Sequence, residues 1–405
     1  MAERIAVVGA SLGGLRAAEQ LRAAGWTGEI TVIGAEPHMP YNRPPLSKEA
    51  LAGTASFGSL AFRPRASVAD VTWRLGTSVS TVDLGARVLA LTDGEPLAFD
   101  GLVAATGLRP RRLRRPGTEV GRHVLRTLDD ALRLRPALVP GARLVVVGAG
   151  FIGCEVAATA RRVGVEVAVV DPLALPMLGP LGEPLAAALL RRHQRHGVRF
   201  HLGRTVDRFE TGRVVLDDGT VLHADAVVEA VGSLPNTGCF DGNGLDLSDG
   251  LLCDAHLRVE GLPYLVAVGD VARFPNARFD AVPRRVEHWS IPGDTAKRAA
   301  RTLVAGLTGA PLDSAAFAPL PTFWSDQYGD RLQAIGAPGL GTADIRVLDG
   351  DLDGDLDGDV IVGYHRGGVL VGVVGLGGNA TTAAVARYRS ALPAGAALPA
   401  ATVVT

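Results

Sequence analysis

The chain has 405 residues, of which 47% are hydrophobic, and its formal net charge at pH 7 is -1. That length can bury two or three hydrophobic cores, and that balance excludes a disordered chain and a strongly basic nucleic-acid-binding protein. No apolar run has the length of a membrane span, and the first strand begins almost at the N-terminus. We therefore expect no membrane helix and no signal peptide, and we predict a cytoplasmic protein.

The first predicted element is a strand–turn–helix–strand unit with a glycine-rich turn. The apolar run Ile5–Val8 leads into Gly9-Ala-Ser-Leu-Gly-Gly14, and the second strand ends at Glu36. A helix start presents free N–H groups to a pyrophosphate, and the acid accepts hydrogen bonds from ribose hydroxyls. The pattern predicts a dinucleotide site formed by Gly9, Ser11, Gly13, Gly14 and Glu36, with Ser11 in place of the usual middle glycine.

A less regular stretch separates this unit from a second one. Residues 37–75 are predicted to form a Pro-rich loop and a helical segment, and residues 76–107 to form short strands. A basic connector, Arg109–Arg115, leads to a short helix predicted at Leu128–Leu138. The basic run is interpreted as the connector between two folded units.

The second unit repeats the first. Leu144–Val147 leads into Gly148-Ala-Gly-Phe-Ile-Gly153, and the following strand ends at Asp171. A carboxylate there accepts the free ribose hydroxyls of NADH and repels the 2′-phosphate of NADPH, and Pro172–Leu175 offers no arginine to bind that phosphate. Two such units in one chain predict two bound dinucleotides and electron transfer between them.

Beyond the second unit, a buried strand is predicted to end at Gly269-Asp270, and a helix is predicted at Asp294–Leu307. Antiparallel strands then follow, at Thr322–Trp324, Arg331–Ile335, Val360–Tyr364 and Val369–Val374, before an Ala/Pro-rich tail at 391–405. The acidic tract 349–359 matches the start of a calcium loop but lacks its closing glutamate, so a solvated hairpin tip between two strands is the better interpretation.

Several longer motifs identify a family resemblance over nearly the whole chain. The chain resembles the FAD-dependent ferredoxin, putidaredoxin and rubredoxin reductases that supply bacterial cytochromes P450 and oxygenases. Besides the two turns, the matching segments are Arg43-Pro-Pro-Leu-Ser-Lys48, Ala105-Thr-Gly107, Leu125-Arg-Thr-Leu-Asp-Asp130, Glu155, Ala267-Val-Gly-Asp270, Glu287-His-Trp289 and Phe323-Trp-Ser-Asp-Gln-Tyr328.

The resemblance implies an α/β fold with two Rossmann-like dinucleotide-binding domains and a C-terminal α+β domain. By that resemblance, residues 1–110 and 240–315 form an FAD domain, residues 111–239 an NAD domain, and residues 316–405 the C-terminal domain. The order of the predicted elements agrees with this arrangement, because the buried strand before Asp270 can return to the first sheet.

The resemblance also implies roles for individual residues. Lys48 is expected near the flavin and paired with Glu155, since a cation there favours the reduced flavin and a carboxylate balances the buried charge. Trp289 and Trp324 are expected to pack beside the flavin and nicotinamide. The remaining expected FAD residues are Arg43, Val79, Arg126 and Asp270, and the expected NAD residues are Gly148, Gly150, Gly153, Glu155, Asp171 and Gly232.

The implied activity is that of an FAD-dependent NADH:ferredoxin oxidoreductase with no resident metal. Hydride would pass from NADH to FAD, and electrons would then pass singly to an iron–sulfur ferredoxin that serves a P450 or an oxygenase, and the ferredoxin is expected to be acidic. A complementary basic surface is then one interpretation of Arg63, Arg65, Arg109–Arg115 and Arg284-Arg285, and solvated surface charge is the other.

Two alternatives stay open from the sequence. A disulfide, peroxide or oxygen reductase of the wider superfamily would carry a redox cysteine near the flavin, but residues 39–47 contain none. Cys154, Cys239 and Cys253 form no Cys-x-x-Cys pair and are expected to be buried apolar side chains. A flavin-binding redox sensor would differ from the reductase in exporting its electrons slowly.

Overall fold

The computed structural model describes residues 3–352, 358–378 and 380–394. The helices in chain order are α1 (Leu12–Ala23), α2 (Phe57–Leu60), α3 (Leu128–Leu134), α4 (Phe151–Arg162), α5 (Leu178–Arg195), α6 (Ile291–Thr308) and α7 (Ala380–Ala386). Short 3₁₀ turns lie at Pro44–Ser47, Ala66–Val68, Arg135–Ala137, Gly238–Phe240, Gly269–Val271, Pro338–Leu340 and Arg387–Ala391.

The strands fall into three groups along the chain. The first group is β1 (Arg4–Val8), β2 (Glu29–Gly34), β3 (Thr72–Leu75), β4 (Val79–Asp83), β5 (Val88–Leu91), β6 (Leu97–Ala98), β7 (Gly101–Ala104), β8 (Leu108–Pro110) and β9 (Arg122–His123). The second group is β10 (Arg143–Val147), β11 (Glu166–Asp171), β12 (Arg199–Leu202), β13 (Val206–Glu210), β14 (Arg213–Leu216), β15 (Val221–His223), β16 (Ala226–Glu229), β17 (Ser233–Pro235), β18 (Leu251–Leu252), β19 (Leu265–Ala267), β20 (Ala272–Asn276) and β21 (Asp280–Arg285). The third group is β22 (Thr322–Gln327), β23 (Asp330–Gly336), β24 (Ile345–Gly350), β25 (Val360–Arg366) and β26 (Val369–Gly377).

Two parallel five-stranded sheets confirm the predicted repeat. The first has the order β19-β7-β1-β2-β3 and the second the order β12-β11-β10-β16-β9. Val7 pairs with Val32 in the first sheet, and Val146 pairs with Val169 in the second. Strands that are apolar throughout suit a parallel sheet, because helices cover both of its faces. The mixed α/β architecture expected from the sequence is therefore correct.

The chain leaves the first sheet and later returns to it. After β7 the chain builds the second sheet, and β19 then pairs in parallel with β7. A small antiparallel ladder, β8 with β17, joins the outgoing and returning segments. The return places Gly269 and Asp270 at the carboxyl edge of the first sheet, beside the first glycine-rich turn, where ligands bind in open α/β sheets.

The last part of the chain forms an antiparallel sheet in the order β22-β23-β26-β25-β24. The four predicted strands are present but extend further, since sheet pairing continues beyond the apolar residues that marked them. Strand β24 was not predicted, and it pairs with β25 on the two sides of the acidic tract. The tip at 353–357 and most of the predicted tail, 395–405, lie outside the described residues.

Two predicted helix boundaries were wrong by up to four residues. Helix α3 ends at Leu134 instead of Leu138, and Arg135–Ala137 continues as a 3₁₀ turn. Pro136 lacks the N–H that an α-helical continuation would use. Helix α6 begins at Ile291, before the predicted Asp294, because Pro292 fits the first turn of a helix, where no intrahelical donor is needed.

Candidate functional site

A cavity of about 600 Å³ lies where the first sheet, the second sheet and the C-terminal sheet meet. Its lining includes the helix start that follows each glycine-rich turn, at Leu12 and at Phe151. Of the residues predicted for a site, the cavity is lined by Ser11, Gly13, Arg43, Lys48, Arg126, Gly150, Glu155, Gly232, Asp270, Trp289 and Trp324. The fold therefore brings both predicted dinucleotide units to one space.

The predicted glycines outside this lining shape the turns. Gly9 has a φ of +118°, and a Cβ there would lie 2.1 Å from the carbonyl oxygen of Ala105. A Cβ on Gly14 would lie 1.9 Å from the carbonyl oxygen of Gly9. Glycine is required at both positions because the backbone leaves no room for a side chain. Gly148 and Gly153 occupy the matching places in the second turn.

The acid of the first unit is engaged by side chains of the following loop. Tyr41 donates its hydroxyl hydrogen to Glu36 Oε2 at 2.5 Å, and Arg43 Nη2 contacts Glu36 Oε1 at 2.5 Å. Arg43 Nε also donates to Ser11 Oγ at 3.0 Å. Arg43 therefore bridges the turn to the acid. Val79 opens β4 and packs on the first core, and it does not line the cavity.

Lys48 and Glu155 form the ion pair that the resemblance implied. Lys48 Nζ lies 2.7 Å from Glu155 Oε2, and the two side chains are 12% and 6% exposed. Glu155 comes from the first turns of α4, whereas Lys48 follows the 3₁₀ turn Pro44–Ser47. A buried pair of this kind costs desolvation and stays stable only with further hydrogen bonds to its remaining atoms.

Two tryptophans form an aromatic wall. The rings of Trp289 and Trp324 meet edge to face with centroids 5.6 Å apart. Trp289 donates from its indole nitrogen to Asn42 Oδ1 at 3.0 Å and is 42% exposed, so it stands at the mouth of the cavity. Edge-to-face contact holds both rings in fixed orientations.

Arg126 and Asp270 face each other across the first turn, with Arg126 Nη2 3.6 Å from Asp270 Oδ2. Burial raises the pKa of the Asp270 carboxyl, and the Arg126 guanidinium opposes that rise. Burial likewise lowers the pKa of Arg126, with the neighbouring Arg43 adding to the effect. Two arginines, Arg43 and Arg126, thus concentrate positive charge where a diphosphate would lie.

A second, smaller cavity of about 300 Å³ lies at the edge of the second sheet. It is lined by Gly148 and Asp171, and also by Arg115 and Arg204, which sequence analysis did not assign to it. Asp171 accepts hydrogen bonds from the backbone nitrogens of Ala149, at 2.7 Å, and Leu173, at 2.8 Å. Arg204 pairs with Asp218 at 2.9 Å. The acid is thus placed at the turn, as its position in the sequence predicted.

Sequence reasoning missed four polar residues around Glu155. Ser47 and Ser325 donate hydrogen bonds to the two carboxylate oxygens, at 2.5 Å to Oε2 and 2.7 Å to Oε1. Gln327 and His193 extend the network away from the cavity. Ser47, Ser325 and Gln327 could have been found from the sequence, because they lie inside the motifs that match the family. No sequence signal pointed to His193, because it sits in an ordinary amphipathic helix.

The cysteines behave largely as expected. Cys154 and Cys253 are buried, Cys239 is partly buried, and none is disulfide-bonded. Burial raises the pKa of each thiol, to about 11 for Cys239. The described residues contain no group of His, Cys, Asp and Glu able to hold a metal ion. Among the described helices, none combines the length and the apolar character that crossing a membrane requires.

Two family models match the chain. Residues 3–294 match the pyridine nucleotide-disulphide oxidoreductase family, and residues 322–404 match the reductase C-terminal domain. The first match contains both glycine-rich turns, and the second contains the sheet that carries Trp324.

Individual proteins are similar over most of their length. The putidaredoxin reductase CamA of Pseudomonas putida is 37% identical, over 82% of this chain and 80% of that protein. The ferredoxin–NAD(+) reductase component of the p-cumate 2,3-dioxygenase system of Pseudomonas putida is also 37% identical, over 85% and 83%. A crystal structure of a covalent putidaredoxin reductase–putidaredoxin complex superposes with a TM-score of 0.85 at 33% identity, covering 96% of this chain and 93% of that one.

Proposed function

Because the chain belongs to the pyridine nucleotide-disulphide oxidoreductase family and carries the reductase C-terminal domain, we propose that it is an FAD-dependent NADH:ferredoxin reductase. The observation that carries this proposal is the shared cavity, which both glycine-rich turns, the Lys48–Glu155 pair and two tryptophans line. The similar proteins from Pseudomonas putida are named as reductases of putidaredoxin and of an oxygenase ferredoxin. We assign the same class of partner, an iron–sulfur ferredoxin that supplies a P450 or an oxygenase.

The residues present fit a flavin dinucleotide at the first turn. Leu12 begins a helix there, Arg43 and Arg126 supply cations, and Asp270 supplies an acceptor for hydroxyl groups. The cavity volume lies within the range of about 300–1,000 Å³ that is usual for cofactor sites. Bound FAD would supply the conversion of a two-electron donor into single-electron delivery.

The chain's own contribution is orientation and charge. Lys48 presents a cation to the cavity, Trp289 and Trp324 restrict the planes in which flat rings can stack, and the C-terminal sheet supplies one wall through Phe323 and Trp324. The second turn and Asp171 would hold the adenosine half of NADH, and the carboxylate would disfavour NADPH.

We also propose the division into domains that the resemblance implies. The return of β19 to the first sheet supports an FAD domain of 1–110 and 240–315, interrupted by an NAD domain of 111–239. The antiparallel sheet of residues 322–377 supports a C-terminal domain from about 316. Limited proteolysis with mass spectrometry should cut first near those boundaries.

The ferredoxin is proposed to be acidic and to dock on the connector between the two sheets. Arg111 and Arg114 are exposed, and no ion pair of either is seen among the described residues, whereas Arg112 pairs with Glu119 and Glu229. Among the other candidate arginines, Arg65 pairs with Glu19, Arg284 with Asp280, and Arg285 with Asp249 and Glu287. Arg109 and Arg115 of the connector, and Arg63 outside it, are exposed and likewise show no ion pair among the described residues. Charge reversal at Arg111 and Arg114 should raise the ferredoxin KM about threefold and flatten its salt dependence. An unchanged KM would place docking elsewhere.

The decisive test is spectroscopic. Purified protein should be yellow, and NADH should bleach it in a stopped-flow instrument faster than NADPH does. Cytochrome c reduction should then require added ferredoxin. A colourless protein after refolding with FAD, or a flavin that NADH does not bleach, would refute the proposal.

The same assay separates the alternatives. A disulfide or peroxide reductase would lose activity on thiol alkylation, whereas the proposed reductase should keep it, because its activity uses no thiol and two of the three cysteines are buried. A redox sensor would hold its reduced flavin for minutes in the presence of ferredoxin. We place the protein in the cytoplasm, where NADH is formed and consumed.

A further inference from the structure

A buried chain of hydrogen bonds leads from Glu155 through the C-terminal sheet to α5. Ser325 Oγ donates to Glu155 Oε1 at 2.7 Å, and Gln327 Nε2 donates to Ser325 Oγ at 3.0 Å. His193 Nε2 lies 2.8 Å from Gln327 Oε1, and the Tyr328 hydroxyl lies 2.8 Å from His193 Nδ1. Ser325, Gln327 and His193 are 1%, 6% and 0% exposed. Solvent therefore cannot substitute for any missing partner.

One assignment of donors and acceptors satisfies the whole chain. An ionised carboxylate can only accept, so Ser325 must give its single hydrogen to Glu155. Ser325 then accepts from the Gln327 amide nitrogen, which turns the amide oxygen towards His193. That oxygen also only accepts, so His193 must carry its proton on Nε2. Tyr328 completes the chain by donating to His193 Nδ1.

This assignment requires a neutral His193 ring with its proton on Nε2, and the buried position of the ring agrees with that requirement. Burial lowers the pKa of His193 to about 4, so the ring is neutral near pH 7 and carries one proton. A proton on Nδ1 instead would set Nε2 against the Gln327 oxygen, two acceptors at 2.8 Å in a buried site. The charge on Glu155 therefore fixes the tautomer of a histidine three hydrogen bonds away.

We propose that Ser325, Gln327 and His193 are positioning residues that hold the Glu155 carboxylate in its place against Lys48 and so set the charge that the cavity presents to the flavin. This inference rests on the proposed function and deepens it. Glu155 Oε2 already accepts a hydrogen bond from Ser47 and pairs with Lys48, whereas Oε1 accepts a hydrogen bond from Ser325. Without that donor, the negative charge of Glu155 is less compensated and opposes electron gain by the flavin.

The test compares variants by the two-electron midpoint potential of the flavin, measured by spectroelectrochemistry. Ser325→Ala and His193→Met should each lower the potential by about 30 mV, which corresponds to about a tenfold change in the reduction equilibrium. His193→Gln keeps an N–H near the position of Nε2 and should restore the potential most of the way. His223→Gln is the matched control, because His223 is an exposed imidazole at the end of β15 and has no part in this hydrogen-bond chain.

A second readout needs neither turnover nor flavin. Nitrogen-15 NMR of the wild-type imidazoles should show His193 as the Nε2–H tautomer, and Ser325→Ala should mix the tautomers by releasing the Gln327 amide. The inference would be overturned if Ser325→Ala and His193→Met both kept the midpoint potential of the wild type. It would also be overturned if His193 of the wild type were the Nδ1–H tautomer. Where a variant fails to fold, an Nδ1–H tautomer in the wild type still overturns the inference, and an Nε2–H tautomer supports the hydrogen-bond chain on which it depends.

Failure of the proposed function gives a different result. A wild-type protein that NADH does not bleach refutes the reductase, while the tautomer measurement continues to test the hydrogen-bond chain. A wild-type protein that NADH bleaches, with variants of unchanged potential, refutes the positioning role alone.

Discussion

The two glycine-rich turns share one backbone shape but have different surroundings. A Cβ on Gly14 would lie 1.9 Å from the carbonyl oxygen of Gly9, and a Cβ on Gly153 would lie 1.9 Å from that of Gly148. At the first glycine of each turn, a Cβ on Gly9 would lie 2.1 Å and one on Gly148 2.3 Å from a backbone carbonyl oxygen, so both turns exclude side chains at the same two places. The two repeats therefore share the main-chain geometry that binding a pyrophosphate requires.

The surroundings differ in how much of the turn is covered. Arg43 ties Ser11 to Glu36 around the first turn, whereas Ile152 at the second turn is 43% exposed. Asp171 at the second turn is held by backbone amides. The covered turn suits a cofactor that stays bound, and the open turn suits a nucleotide that must enter and leave in every cycle.

The largest expected effect comes from filling each turn with a methyl group. Gly14→Ala should destabilise the protein by about 3 kcal/mol and abolish flavin retention, because backbone atoms cannot yield. Gly153→Ala makes the same collision but should leave the purified protein yellow and unable to be bleached by NADH. Absorbance after gel filtration and stopped-flow bleaching distinguish the two losses.

Gly150→Ala is the control for this pair. Gly150 has a φ of -79°, and a Cβ there would have no atom within 4 Å. The variant should fold and retain flavin like the wild type. Equal loss of flavin in Gly14→Ala and Gly153→Ala would contradict a division of labour between the turns.

The next effect concerns pH and two imidazoles, the buried ring of His193 and the partly buried ring of His288. Burial holds the pKa of His193, on α5 beside the second sheet, at about 4, and does the same for His288 in the cavity lining. The unfolded chain binds these protons near pH 6.5 and the folded chain only near pH 4. Stability should therefore fall as the pH drops from 6.5 to 4, by about 2 kcal/mol at pH 5 for each ring.

Urea unfolding at several pH values measures this dependence. His193→Gln should remove about half of the slope between pH 6 and 5, since two rings contribute equally on this argument. Between pH 8 and 9 the same variant should leave the pH dependence of stability unchanged, because both rings are neutral there in the folded and unfolded chains. A slope unaltered by His193→Gln would show that other groups cause the acid sensitivity.

Substitution of Asp171 tests whether the second, open turn binds NADH. Asp171→Ala should raise the NADH KM about tenfold, or about 1.4 kcal/mol, with kcat and flavin content unchanged, because the ribose loses its acceptor. Glu166→Ala removes an equal charge from the other end of the same strand, and its KM should stay at the wild-type value. A fall in flavin content in Asp171→Ala would mean that the second unit also holds the cofactor.

Much of this contrast could be predicted from the sequence. The turns were recognisable because glycine placement follows from local backbone geometry, and the Lys48–Glu155 pair followed from the family motifs. Ser47 and Ser325 lie inside the family motifs, but the sequence did not indicate that they contact Glu155, which is 108 and 170 positions away from them in the chain. Such contacts depend on how three sheets meet, and no local pattern encodes that.

The covered turn is tested by the smallest change, the loss of one hydroxyl in Tyr41→Phe. That hydroxyl donates to Glu36 Oε2 and accepts from the backbone nitrogen of Leu128, the first residue of α3. Without it, a buried N–H loses its partner, at a cost of about 1 kcal/mol. Thermal unfolding should register that loss, and the flavin dissociation constant should rise a few-fold while the NADH KM stays constant. A raised NADH KM with normal flavin affinity would show that the loop at Tyr41 serves the second nucleotide, and the distinction between a covered and an open turn would fail.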